Sequence, residues 1–263
     1  MNMAFKDIYI KDCFSSIVDD MRPNGIISSF VASGSNYEIT NNVRFDMSSF
    51  LLKAGYYVDL YDSLGAKLYS DCRIISVNLT SRKFVVNIPE TVTESPISWK
   101  CQAPYFEHGH ILEVANTLSE KSKGQKLKFQ KYPLIVLVQD VEKADGTDKD
   151  TDSEINAQLF IADLTDPNYK ADKRYEMTFK PVLYPLYNSF CHALHYSRFF
   201  KTYSPETIRK TVIDRLYWGK NAEFANRANI FGDWLDAIEI SKLNLKTETQ
   251  NNIPLNQLIT NKN

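Results

Sequence analysis

Four histidines and one nearby cysteine have the side-chain chemistry of zinc ligands. His108 and His110 stand in the segment EHGH, and Cys191, His192 and His195 stand in CHALH. Two histidines in an HxH pattern point to the same side only in a strand, whereas we predict that this segment opens a helix. No HExxH motif accompanies them. We therefore predict no metal and no cofactor, with the histidines at helix ends and on amphipathic faces.

Alternate aspartates in the acidic segment 140–154, at positions 148, 150 and 152, resemble the start of a calcium-binding loop. An EF-hand that began at Asp148 would need glycine at its sixth position and glutamate at its twelfth, where the chain has Ser153 and Leu159. The pattern therefore favours a solvated acidic connection between two strands. The aspartates of this predicted loop are Asp145, Asp148, Asp150 and Asp152.

Sequence motifs of common enzymes are missing from the chain. It contains no GxSxG, no GxxxxGK[ST] and no GxGxxG. The paired carboxylates Asp19 and Asp20 fall on a predicted exposed helix face, and the lysine-rich segment 121–131 is typical of a solvated linker. We therefore predict that the protein is not an enzyme.

Composition places the chain among soluble globular proteins. Apolar residues make up 43% of its 263 residues, the net charge is −1, and aromatic residues reach 13%. The charge gives no reason to expect a global affinity for nucleic acid or membranes. No apolar run approaches the roughly 20 residues of a membrane-spanning helix, and no secretory signal is expected at the start. The scattered cysteines, predicted to be reduced thiols, are Cys13, Cys72, Cys101 and Cys191.

The first hundred residues divide into a helix and a β module. Residues 4–21 have helical spacing of apolar residues, and Pro23 and Gly25 end the helix. From 26 to 103 the spacing changes to two, which predicts about five strands in a barrel or a sandwich. Turns are expected near 32–42 and at 62–67, and a hairpin is expected around Thr80.

The remaining chain alternates helices and strands. We predict a helix over 105–125, buried strands in KYPLIVLVQDV and INAQLFIADLT, and a helix from Tyr175 to Phe200 that Pro185 kinks or restarts. A further helix is expected after Ser204 as N-cap, ending at Gly219. Ile238, Ile240, Leu243 and Leu245 suggest a last strand with a bulge between Ile240 and Leu243.

These patterns predict an α+β fold with an inserted all-β module. Residues 1–25 and 104–248 would form one α+β domain, and residues 26–103 would be inserted into it. Residues 249–263, rich in Asn and Gln, would form a polar C-terminal arm that is disordered or lies on a partner.

Part of the chain resembles a family of phage proteins. The matching residues are the YPLI strand, the LTDPNY turn, the helix entry RYEMTFKPVLYPLY and the closing DWLDAIEISKLNL, which together cover roughly residues 107–246. In these features the chain resembles the neck, tail-completion or head-to-tail joining proteins of tailed bacteriophages of Bacteroidota, including crAss-like phages.

The resemblance implies a tail-terminator-like protomer, with a small sheet backed by helices. Copies, six or twelve of them, would close into a ring that surrounds the DNA channel and joins the portal vertex to the tail. Its partners would be other neck, portal or tail proteins, and packaged DNA would pass without sequence-specific binding. The expected location is the virion, with the host cytoplasm during assembly.

A heterologous ring needs stiff anchoring contacts between copies. Tyr184, Pro185, Tyr187 and Phe190 fit such an interface, although most of this helix would fill the protomer's own core. The acidic loop would face the channel or the solvent.

Two other interpretations remain open. In the first, the β module recognises a host glycan or protein through the tyrosines of its strands, which are Tyr56, Tyr57, Tyr61 and Tyr69. In the second, the chain is a zinc-dependent enzyme that uses His108, His110, Cys191 and His192.

Overall fold

The fold contains helices and two β-sheets, which confirms the predicted α+β class. The computed structural model describes residues 4–42, 52–78, 80–121, 131–138, 142–144, 154–197, 200–202, 208–216 and 233–247. The predicted arm 249–263 and the four aspartates Asp145, Asp148, Asp150 and Asp152 lie outside the described residues. Residues 142–144, predicted as part of the acidic loop, instead form a short strand that pairs with residues 154–156.

The first sheet is a closed barrel. Its strands follow the order β1-β2-β5-β4-β3-β6, and β6 pairs with both β1 and β3 to close it. The bounds are β1 Asn24–Ser33, β2 Asn36–Asn41, β3 Tyr57–Tyr61, β4 Lys67–Asn78, β5 Lys83–Asn87 and β6 Ser98–Cys101. Of the two predicted architectures the barrel is therefore the one formed, with six strands in the described chain instead of about five.

Turn residues account for the barrel's hairpins. Gly34, in the two-residue turn between β1 and β2, has a φ of 64°, and Gly65, between β3 and β4, has a φ of 79°. A side chain is rarely tolerated at such angles, which favours glycine. The carboxylate of Asp62 accepts the backbone N–H groups of Leu64 and Ala66 and so closes the second turn.

The second sheet follows the order β11-β13-β10-β8-β7, with β12 added beside β13 and β9 beside β10. Neighbouring strands are antiparallel except for β7 and β8, which are parallel. The bounds are β7 Tyr105–Gly109, β8 Leu134–Val138, β9 Glu142–Ala144, β10 Glu154–Leu164, β11 Phe200–Thr202, β12 Arg209–Ile213 and β13 Leu235–Thr247. Helix α2, Ile111–Lys121, lies between β7 and β8 in the chain, as a parallel crossover requires.

The other helices pack together over one face of this sheet. Helix α1 spans Ala4–Asp20, and a second, continuous helix runs as α3 Ala171–Arg174, a π-helical segment Tyr175–Leu183 and α4 Tyr184–His195. Phe14 of α1 stacks on Phe190 of α4, with ring centroids 6.3 Å apart. This contact holds the two helices against each other.

Apolar residues of the barrel and of the second sheet belong to one buried cluster. It contains Ile39 and Val58 from the barrel, Ile161 and Ile238 from the sheet, and Phe190 from α4. The opposite face of the sheet packs a second cluster, to which β8 contributes Leu134 and Val136. Both faces of β8 are therefore covered, which explains its uninterrupted apolar sequence.

Two segments that were predicted to be helical contain strands in the structure. Residues 209–213, predicted as part of a helix capped by Ser204, form β12, because this β-branched segment completes the hydrogen bonds of β13. Ser204 and Gly219 lie outside the described residues. Residues 105–109 form β7 and only then does α2 begin, because the aromatic start pairs in parallel with β8.

The long helix also differs from its prediction. It begins at Ala171 instead of Tyr175 and ends at His195, while Phe200 belongs to β11. Pro185 lies in the first turn of α4, where the continuous helix returns from π to α geometry. The helix widens into π geometry around Pro181, which itself lacks a backbone donor. The predicted bulge in β13 is confirmed, since the register with β10 shifts between Leu243 and Ile240.

Candidate interaction surface

The predicted interface residues divide between core and surface. Phe190 is fully buried, so its side chain stabilises the protomer's own core. Tyr184, Pro185 and Tyr187 are half-buried and form part of the surface of α4. Their position beside the core follows from helical spacing, because the same helix buries Leu186 on its inner side.

A lysine from the neighbouring sheet lies over these tyrosines. The ammonium of Lys210 on β12 is 4.1 Å from the ring centroid of Tyr187 and 5.8 Å from that of Tyr184. The ring of Tyr175 packs edge-on against Tyr184, with centroids 6.1 Å apart, and 47% of Tyr175 is exposed. We call Tyr175, Tyr184, Tyr187 and Lys210 the tyrosine surface.

The tyrosine surface has the chemistry of a protein contact. Tyrosine offers a rigid apolar ring with a polar end, and its contact area is ordered with little loss of conformational entropy. A cation held over aromatic rings contributes roughly 0.5–1 kcal/mol at an exposed site. Burial, together with the neighbouring Cys191 thiol, raises the pKa of Tyr187, so that its hydroxyl stays protonated.

Sequence reasoning missed Lys210 as a member of this surface. In the predicted helix after Ser204, the side chains of residues 209–213 would have pointed to all sides of the helix. As a strand, β12 instead points Lys210 to the side on which Ile240, its partner on β13, joins the core. The run of Thr211, Val212 and Ile213 was the signal for a strand, because all three are β-branched.

The histidines are divided between two parts of the fold, and Cys191 lies on the same helix as two of them. His108 lies on β7 and His110 directly follows it, so the assumption that this HxH segment opens a helix was wrong. His192 and His195 lie on α4, and the rings of both contact Tyr196, with centroids 4.6 Å and 5.0 Å away. Within the described ranges, no three His, Cys, Asp or Glu side chains are grouped to hold a metal ion.

Two aspartates face each other across β10 and β13 and carry a buried polar network. Asp163 and Asp236 are direct cross-strand partners, and both are buried. Arg174 of α3, also buried, donates to the Asp236 carboxylate at 2.8 Å. Breaking such a pair by removing one partner typically costs about 3–5 kcal/mol, because a charge is left buried and uncompensated.

The same network connects the barrel to the sheet. Tyr56, just before β3, donates its hydroxyl hydrogen to the Asp163 carboxylate at 2.9 Å, and the Lys53 ammonium is 3.7 Å from it. Burial raises the pKa of Asp163, and the Lys53 charge and the Tyr56 hydrogen bond oppose this shift only in part. Asp163 therefore provides a polar connection within the mostly apolar contact between the barrel and the second sheet.

Lys131, at the end of the lysine-rich segment predicted as a linker, is part of the fold. Its side chain is fully buried, forms an ion pair with Asp233 and donates to the carbonyl oxygen of Leu118 at 3.1 Å. The hydroxyl of Tyr132 also donates to Asp233, at 3.0 Å. This end of the segment therefore has a structural role, and the expected solvated linker does not include it.

The tyrosines of the β module are largely committed to the fold. Tyr57 and Tyr69 are buried, and Tyr69 bonds through its hydroxyl to the backbone at Thr93 and Glu94. Tyr56 is engaged by Asp163. Among the four tyrosines proposed for recognition, Tyr61 is the one whose half-exposed side chain is not engaged by a hydrogen bond within the described residues.

Comparisons with known proteins identify no relative. No protein-family model, no curated protein and no solved structure matches the chain. Among the helices of the described residues, none combines the length and the apolar character needed to cross a membrane.

Proposed function

We propose that this protein is a non-enzymatic structural component of a phage virion. Copies of the chain form a ring in the neck or tail that surrounds the DNA channel and joins the portal vertex to the tail. The ring contacts other neck, portal or tail proteins, and DNA passes through it without sequence-specific recognition. The protein is assembled in the host cytoplasm and remains in the virion.

The tyrosine surface is the observation that carries this proposal. It brings stiff aromatic side chains together with the Lys210 ammonium of β12. Four of the five residues of β12 are exposed. Such a surface suits a permanent contact with another protein, because aromatic residues and a few cations dominate binding energy at interfaces. The sequence resemblance to neck and tail-completion proteins supplies the biological setting.

The test compares Tyr187→Asp with Asn188→Asp in the full-length chain. Asn188 is the next residue of α4 and is exposed, so its substitution adds the same charge outside the tyrosine surface. We expect wild type and Asn188→Asp to assemble in native mass spectrometry, and Tyr187→Asp to remain mostly monomeric while keeping its circular dichroism spectrum. If Tyr187→Asp fails to fold, Lys210→Ala provides the same comparison.

A second measurement addresses the virion itself. We expect the labelled protein in the neck region of purified particles by electron microscopy. A wild-type chain that stays monomeric at high concentration, and is missing from particles, would overturn the proposed function.

A further inference from the structure

We propose that neighbouring copies join edge to edge, with β12 of one copy pairing with β7 of the next to extend the second sheet. This inference deepens the proposed function and rests on it, since it names the surfaces through which the ring would close. The partner of both edges is a second copy of this chain.

The two edges lie at opposite ends of one sheet. Within the described residues, β7 pairs only with β8, and β12 pairs only with β13. Each strand has five residues. An edge strand presents a row of backbone donors and acceptors that a strand from another chain can satisfy.

Strand directions make this junction antiparallel. Along the sheet, β8 and β7 run parallel to β13, and β12 runs opposite to it. When copies repeat in the same orientation, as in a heterologous ring, β12 of one therefore runs opposite to β7 of the next. Antiparallel pairing is the more stable arrangement per residue.

The apolar residues of the two edges lie on matching faces. Phe106 of β7 packs on the cluster that contains Phe190, and Val212 of β12 pairs with Ile238, a member of the same cluster. Tyr105 and Ile213 both pack on the cluster on the opposite face. A junction that placed Phe106 opposite Val212 would also place Tyr105 opposite Ile213, so both faces would continue without a break.

This register places His108 opposite Lys210 and brings the acidic Glu107 near a basic residue. Glu107 falls opposite Thr211, and Arg209, two residues from Thr211, becomes its diagonal neighbour on the same face. The ammonium of Lys210 lies over Tyr187 instead of extending from the edge.

Covering Val212 gives the junction an apolar contribution. Its side chain is 45% exposed in the single copy, and Phe106 is only half-buried. An aromatic and a β-branched side chain directly opposite each other stabilise the pairing of two strands. The tyrosine surface lies next to this edge and would extend the contact beyond the strands.

Site-directed cross-linking tests the proposed pairing. Thr211→Cys and Glu107→Cys are placed in separate chains and in one chain, each with Cys191→Ser to remove the half-buried thiol. Directly opposite residues have Cβ atoms about 4.5–5.5 Å apart, within reach of a short bis-maleimide. We expect a cross-linked dimer from the mixture, a ladder of oligomers from the double variant, and monomers from either single variant.

Each alternative outcome has a distinct meaning. Dimers from Thr211→Cys alone would overturn the proposal in favour of a two-fold contact. Assembled wild type without cross-links from the mixture would overturn the edge pairing and leave the proposed function intact. A wild type that stays monomeric at high concentration and is missing from particles would overturn both.

A surface substitution provides a second readout. Val212→Asp places a charge opposite Phe106 and should raise the dissociation constant of self-association by about tenfold or more. Leu64→Asp is the control, because Leu64 is 90% exposed in a barrel turn. Equal dissociation constants for the two variants in analytical ultracentrifugation would contradict the proposal.

Discussion

Individual buried polar residues explain how the barrel and the sheet are held in one arrangement. Asp163 receives the Tyr56 hydroxyl from the barrel, while Asp236 receives Arg174 from α3. One buried oxygen of Asp236 has no hydrogen-bond partner among the residues that the structure describes. Buried ion pairs often stabilise a fold no more than apolar residues of equal volume do, and we infer that these groups instead restrict which arrangements of the elements are compatible with one another.

We predict that Asp163→Asn changes the pH dependence of stability. Burial raises the native pKa of Asp163 above its unfolded value, so protonation stabilises the fold and its stability falls as pH rises through the window between the two values. An asparagine keeps an acceptor for Tyr56 and removes the buried charge. At pH 7 we expect the variant to be at least as stable as wild type, with a gain of about 1 kcal/mol, because the partly exposed Lys53 side chain stays solvated without its partner.

Urea unfolding between pH 4 and pH 8 measures this effect. The difference between Asp163→Asn and wild type should shrink as pH falls. Asp20→Asn, at an exposed position near the end of α1, is the matched control and should show no such trend. A variant that is less stable than wild type by the same amount at every pH would contradict the assignment.

At the scale of elements, close contacts between strands decide the shape of the barrel. Gly25 of β1 lies directly opposite Trp99 of β6, and a Cβ on Gly25 would be 2.8 Å from the indole nitrogen. The indole is buried and donates to the amide oxygen of Asn41 on β2. One aromatic ring therefore covers a glycine and connects the strands that close the barrel.

We predict that Gly25→Ala destabilises the protein by about 1–3 kcal/mol, because the added methyl displaces the buried indole. The measurement is the free energy of unfolding in urea. Ser29→Ala, at an exposed position on the same strand, should change this free energy by less than about 0.5 kcal/mol. Equal values for both variants would show that the indole moves without cost.

At the scale of the whole molecule, barrel and sheet share one apolar cluster. Residues from both, together with α1 and α4, form a single core. Ion and hydrogen-bond contacts add to it at Asp163, and the Arg22 side chain of the segment after α1 donates to the carbonyl oxygen of Cys101 at 2.8 Å. The two parts are therefore packed against each other, while the division of the chain into domains stays a prediction.

We predict that removal of residues 249–263 spares the fold and weakens assembly. This segment is uncharged until Lys262 and too polar to form a core, so it would gain order only on a neighbouring copy. Thermal unfolding of the truncated chain should match that of the full-length chain, while native mass spectrometry should show fewer oligomers. Particles of undiminished stability with the truncated chain would contradict the arm hypothesis.

Much of the fold follows from local patterns. The helical spacing of 4–21, the alternation within 26–103 and the apolar runs of β8 and β10 predicted these elements, because each pattern has one period that fits one face. The bulge in β13 was readable for the same reason, since Ile240 and Leu243 must both face the core. The prediction for residues 209–213 was wrong. Ser204 and Pro205 are typical of the start of a helix, but residues 209–213 pair with β13, and this tertiary pairing overrides the local helix propensity.

The sequence by itself determined the fold class, the turns of the barrel and the amphipathic face that carries Tyr184 and Tyr187, since these depend on neighbours within a few residues. Only the tertiary structure decided which residues meet: Lys210 over Tyr187, Asp163 beneath Tyr56, and Phe190 inside the core. Those contacts join residues far apart in the chain, and their geometry depends on how strands and helices pack. Local propensity carries no information on that packing.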